Sequence, residues 1–249
     1  MRAMLALLAL LAWMTGVPGT RVAGAASLVA DLSSHLIAIS TGFTGTEVLL
    51  FGAKDGPGEV VVVVRGPASQ VSVRKKDRFA GIWINRETVT YGNVPSFYAV
   101  AASAPLADIA PPSLLARQQI GFENLKIQSP PNVDPDRVRE FRQALIRRKQ
   151  EEGLFVAEVG KVGFLGGTLF RTTVYFPANV PVGVYLVEVL LLSDGMVQSA
   201  QTTPLIISKV GFGAEVFDFA HDRGALYGLI AISIALVAGW LPHLLLRKT

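Results

Sequence analysis

Apolar positions are spread unevenly along this chain, and the longest runs lie at its two ends. Met1 to Trp13 reads MRAMLALLALLAW, with Arg2 ahead of an apolar stretch too short to cross a bilayer. Gly16, Pro18 and Gly19 interrupt it, and Ala23-x-Ala25 and Gly24-x-Ala26 each fit a small-x-small cleavage site. The pattern predicts a secretory signal over residues 1–26, cut after Ala25 or Ala26, with an uncleaved anchor as the alternative. Ala225 to Leu246 reads ALYGLIAISIALVAGWLPHLLL, free of formal charge and of a length that spans hydrocarbon. Tyr227 and Trp240 sit near its two ends as interfacial aromatics do, and Arg247 and Lys248 follow at once, which holds the tail on the cytoplasmic side. The expected topology is an extracytoplasmic body, a transmembrane helix at 225–246 and a cytoplasmic tail at 247–249.

Between the ends, short apolar runs alternate with turn residues. Leu36–Ser40, Glu47–Phe51, Val60–Arg65, Val71–Arg74, Gly81–Asn85 and Phe97–Ala102 read as strands. Lys54-Asp55-Gly56-Pro57-Gly58 and Gly66-Pro67 punctuate them. A second group follows: Phe155–Val162, Leu169–Phe176, Gly183–Leu192 and Gln198–Ser208. Pro181-x-Gly183-x-Tyr185 before an alternating strand is common in immunoglobulin-like sandwiches, and Gly163 to Gly167 reads as a hairpin turn. The middle is helical. Asp134-Pro135 reads as N-cap and first helical residue, Val138, Phe141 and Leu145 recur at helical spacing, and Gly153 ends the element. The predicted fold is therefore mainly β: one or two Ig-like antiparallel β-sandwich domains with a helical insert and one C-terminal transmembrane helix. The expected segments are a β-sandwich at 27–104, a helical connector at 105–153, a second sandwich-like unit at 154–210 and a juxtamembrane linker at 211–224.

Composition narrows the chemistry. Charged residues make up 17% of the chain, against about a quarter in ordinary soluble proteins, and the apolar ends account for much of the deficit. The net charge is +4, and Arg2 and Arg21 fall in the expected signal. The remainder is far from the basic stripe of a nucleic-acid binder, so no nucleic-acid partner is expected. There are no cysteines, which excludes disulfides, thiolate metal sites and thiol nucleophiles. Of the histidines, His221 and His243 lie at the membrane end and only His35 lies in the body. A histidine metal site or a serine triad therefore has no base to build on. Glu158 and Glu188 are carboxylates on expected strands with no spacing that pairs them, and no metal, cofactor or enzymatic activity is expected.

The segment from Arg65 to Tyr98 is the richest. It concentrates Arg65, Arg74, Lys75, Lys76, Arg78 and Arg86 beside Trp83, against only Asp77 and Glu87. Two readings stand: a solvated β-hairpin with a basic tip, or a docking or anion-binding surface on which arginines fork onto anionic groups. Strand alternation puts Arg74 and Lys76 on one face and Lys75 on the other. On the expected membrane helix, Gly228, Ala231, Ala235 and Ala238 recur three to four apart and form a face that permits close helix–helix approach, or else belong to a generic small-residue span.

Phe51-Gly52, the valine strand, Arg65-Gly66-Pro67, Val73-Arg74-Lys75-Lys76, Gly81-Ile82-Trp83-Ile84-Asn85 and Val94-Pro95-Ser96-Phe97-Tyr98 together resemble the alphaproteobacterial putative transmembrane protein family. The resemblance covers nearly the whole chain. It implies a signal, a periplasmic body and one C-terminal span in the inner membrane, with no catalytic residues to carry over. It also implies an integral membrane partner, with a sulfite-exporter (TauE/SafE-like) permease as the candidate, beside the lipid bilayer itself. The expected function is a non-enzymatic, membrane-anchored accessory subunit; the alternative is a membrane-tethered binding module for a small anion.

Overall fold

Five consecutive valines, Val60 to Val64, are each at most 1% exposed. A strand buries successive residues in this way only where both faces of its sheet are covered. The computed structural model describes residues 27–79, 81–131 and 133–246, so the expected signal and cytoplasmic tail lie outside the described residues. The chain runs through β1 (Leu28–Leu32), β2 (Leu36–Ile39), β3 (Gly45–Lys54) and β4 (Glu59–Arg65), which holds the valines. A long hairpin follows, β5 (Ala68–Phe79) and β6 (Ile82–Pro95), and then β7 (Tyr98–Ala102). The middle holds α1 (Leu106–Ile109), α2 (Pro112–Arg117), a 3-10 turn at Phe122–Asn124 and α3 (Pro135–Glu151). β8 (Gly160–Lys161), β9 (Gly163–Leu165), β10 (Leu169–Pro177), β11 (Gly183–Ser193) and β12 (Met196–Lys209) complete the body, before α4 (Phe212–Asp222) and α5 (Gly224–Leu246).

The strands form a four-stranded sheet, β1-β3-β10-β9, and a six-stranded sheet, β2-β12-β11-β4-β7-β8. Pairing is antiparallel except for β2 with β12 and β7 with β8. The sheets enclose one core, in which Leu50, Phe170 and Phe176 meet Val60, Val62, Val64, Tyr185 and Leu191. A second core lies on the other side of the six-stranded sheet. Val61, Val63, Tyr98 and Leu190 are covered there by Leu114, Phe141 and Leu145 of the helical segment, by Phe155 just beyond it, and by Val89 and Tyr91 of the hairpin.

The two expected β regions interleave. Val48 of β3 lies opposite Val174 of β10, and Val62 of β4 opposite Val189 of β11. Both sheets draw on both regions, so the open choice between one body and two resolves to one. Several local expectations change. Phe155–Val162 forms only the two-residue β8, because Leu154 and Phe155 are both buried and their N–H groups donate to Lys149 O at the end of α3. Glu158 lies in a bend rather than a strand. β1, unexpected from the sequence, alternates buried and exposed positions. The stretch 211–224 contains the helix α4 in place of an irregular joint.

The expected caps of α3 are present. Asp134 Oδ1 accepts from Asp136 N at 3.2 Å, and Pro135 is the first helical residue. Gly153, at φ +70°, donates to Gln150 O and lets the chain leave the helix in the left-handed conformation. α5 runs through the uncharged stretch. Its side chains are described as far as Trp240, and no helix among the described residues is long and apolar enough to cross a membrane.

Candidate docking interface

Alternation divides the β5–β6 hairpin into two unlike faces. Val71, Val73 and Lys75 lie opposite Tyr91, Val89 and Glu87. Val89 and Tyr91 are buried in the second core, with Val71 and Val73 packed against it, so this is the inner face. Between Lys75 and Lys76 the register shifts: Lys75 opposes Glu87 while Lys76 opposes Asn85, leaving Arg86 as the extra residue of a bulge. Beyond it Arg78 opposes Trp83. Arg74, Lys76 and Arg78 therefore share the outer face with Trp83, and Lys75 and Asp77 point inward.

The inner face is braced. Tyr91 donates its hydroxyl to Val138 O at 2.6 Å, and burial pushes that phenol up from its ordinary pKa. Lys75 Nζ lies 2.8 Å from Glu140 of α3, and Arg137 reaches Glu87 at 3.2 Å and Glu140 at 3.7 Å. The hydrogen bond from Lys75 holds the Glu140 carboxyl below the usual carboxylate range. Arg86 pairs with Asp77 at 2.7 Å, and this bond, with one from the Arg78 N–H, holds Asp77 low as well. Both carboxylates of the hairpin are thus engaged on the inner side or at the bulge. Among the described residues, Arg74, Lys76 and Arg78 have no ion pair.

At the far end the apolar residues are exposed. Ile82, Trp83 and Ile84 are 68%, 66% and 43% exposed. Three successive apolar residues in a two-stranded ribbon occupy both faces, and neither face is covered there.

The structure thus brings together Arg74, Lys76, Arg78 and Trp83 from the expected set and separates the others. Lys75 and Arg86 are spent on Glu140 and Asp77. Arg65 sits at the hairpin root, mostly buried, with Nη1 2.5 Å from Glu188 and Nη2 donating to Gln118 O at 2.6 Å. Its Nε is buried without a partner beside a cleft lined by Asn93, Gln119 and Lys126. Sequence reasoning missed Arg137 and Glu140 as braces, since nothing local links them to residues on the hairpin. On α5, Gly228, Ala231, Ala235 and Ala238 fall on one helical face. His35 Nε2 lies 2.8 Å from Asp31 at an exposed position, and among the described residues no three His, Cys, Asp or Glu side chains gather into a metal site.

The family model described as Putative transmembrane protein (Alph_Pro_TM) matches residues 27–248. The chain belongs to this family. Comparison with curated proteins gives no match.

Proposed function

We propose, from that membership, that the chain is a non-enzymatic accessory or interaction subunit of an inner-membrane complex. Its body faces the periplasm, residues 225–246 form its single span, and the tail is cytoplasmic. The observation that carries this reading is the braced hairpin. It presents three cations, without an ion pair among the described residues, and an exposed apolar tip. Such a feature suits contact with another surface. The length and uncharged character of 225–246 and the family's description support the span. The body is read as an immunoglobulin-like sandwich. Tyr185 donating back to Pro181 O at 2.6 Å, and an edge strand β2 running parallel to β12, support that reading.

The candidate partner is an integral membrane protein, with a permease of the sulfite-exporter type as the first to test. Contact in the bilayer would run through the small-residue face of α5. Purification of the full chain in mild detergent, followed by mass spectrometry, tests this. A polytopic membrane protein should be enriched, and Ala231→Leu with Ala235→Leu should lower its recovery while leaving insertion intact. Enrichment of no membrane protein would overturn the accessory role; recovery unchanged in the double variant would remove α5 as the contact. A reporter fused after Thr249 should work only if it is one active in the cytoplasm.

A second reading, capture of a small anion by the body, draws on the unpartnered Arg65 Nε at the root cleft. Calorimetric titration of the purified chain with sulfite and with sulfate separates the two: binding heat without a partner favours capture.

A further inference from the structure

The hairpin and the C-terminal helices leave the same end of the six-stranded sheet. Arg65, where β4 hands over to the hairpin, lies opposite Leu186 near the start of β11. Gly183, the first residue of β11, lies opposite Ile207, two positions before β12 ends at Lys209 and the chain departs for α4 and α5. The hairpin root abuts this end directly: a Cβ on Gly183 would come 2.7 Å from Pro67 Cγ.

On this arm the outer face carries Arg74, Lys76 and Arg78 with no carboxylate among them, since Asp77 and Glu87 are drawn to Arg86 and Arg137. Trp83 stands on that face opposite Arg78, and Ile82 and Ile84 stand on the other face of the same tip, all three exposed. A tryptophan flanked by aliphatic residues and followed by long cationic side chains matches the layering of a bilayer edge. The indole lies at the headgroup level, apolar neighbours reach the acyl boundary, and the cations extend to phosphates. A protein pocket offers anions at a few fixed points. A headgroup layer offers them everywhere, which suits three side chains that have no ion pair among the described residues.

We infer that the hairpin is a second membrane contact: Ile82, Trp83 and Ile84 seat in the interfacial layer while Arg74, Lys76 and Arg78 meet the phosphates of anionic phospholipid, fixing how the body stands on the bilayer. This rests on the anchored reading above and supplies the chemistry of the surface that the arm meets.

The test uses the full chain, without any partner, in nanodiscs of phosphatidylcholine with or without phosphatidylglycerol. The chain has three tryptophans, Trp13, Trp83 and Trp240, so two variants each keep one body or helix indole: Trp13→Phe with Trp240→Phe, and Trp13→Phe with Trp83→Phe. Trp83 should be quenched by lipids brominated near the headgroup end of the acyl chain. That quenching should fall by about twofold or more without phosphatidylglycerol, in high salt, or with Arg74→Gln, Lys76→Gln and Arg78→Gln together. Trp83 unquenched in anionic nanodiscs overturns the inference and leaves a protein as the surface the arm meets. Quenching indifferent to lipid charge and to the triple substitution overturns the role of the cations. Trp240 reports separately: if it is unquenched, the anchor itself is wrong, whatever Trp83 does.

Discussion

Lys75 and Glu140 join the hairpin to α3 across 2.8 Å, while Arg74 and Lys76 on either side of Lys75 turn to the opposite face. One run of basic residues is thereby split into a brace and a presenting surface. Both partners of the brace are about half exposed, so the pair positions the arm more than it stabilises the fold. Lys75→Ala should leave the global melting transition nearly unchanged and speed amide exchange in the hairpin by about two- to fivefold. The effect has a pH signature. Lys75 depresses the Glu140 pKa, so the brace contributes above the ordinary carboxylate value of 4.5 and is lost as pH falls through the lowered one. Protection of the hairpin amides in the parent chain, taken relative to their intrinsic exchange at each pH, should fall on acidification and converge with that of the variant.

Two glycines of the family-like motifs are packing positions. A Cβ on Gly52 would lie 2.5 Å from the Phe170 ring and against Val29 O; one on Gly66 would lie 2.9 Å from Phe97 N and against Ser96 Oγ. Backbone sits on one side of each and cannot yield cheaply. Gly52→Ala and Gly66→Ala should each destabilise the body by about 1–3 kcal/mol, measured by chemical denaturation, whereas Gly81→Ala at the open tip meets nothing within 4 Å and acts only through its positive φ.

Those glycines also mark what a sequence can disclose. The valine run, the cap at Asp134 and the apolar face of Phe141 and Leu145 follow from local chemistry, and each appears where its pattern put it. Alternation likewise foretold that Lys75 would part from Arg74 and Lys76. The pairing of β3 with β10 and β4 with β11 was not legible, because register between strands more than a hundred residues apart depends on the complementarity of whole faces. Glu140 lies 65 positions from Lys75, and no periodicity connects them. The exposure of Ile82-Trp83-Ile84 could have been noticed: three successive apolar residues in a hairpin cannot all turn inward.

Burial pushes the phenols of Tyr98 and Tyr185 up to about 12, while the unfolded chain titrates near 10. A raised pKa means that the folded state holds its proton more tightly. The stability this represents is complete below pH 10 and is lost as pH climbs through 12. Urea midpoints should be flat to about pH 10 and then decline. Tyr185→Phe removes one of the two groups and the bond to Pro181 O; it should lower stability at neutral pH by about 0.5–1.5 kcal/mol and make the alkaline decline shallower.

Arg65 should behave oppositely to the cations further along the arm. It carries Glu188 and the carbonyl of Gln118, and its side chain is 21% exposed beside a Glu188 that is 23% exposed. Arg65→Ala leaves a largely buried carboxylate and a carbonyl without their donor, a loss of about 1.5–3 kcal/mol. Arg74→Gln, Lys76→Gln and Arg78→Gln remove charges that solvent already screens, so their melting temperatures should match the parent. Replacing both members of the root pair, Arg65→Met with Glu188→Leu, removes the stranded charge as well and should recover much of the stability lost in Arg65→Ala. Thermal melts of the full chain in detergent distinguish the cases. If Arg65→Ala melts with the parent, the root pair is not structural.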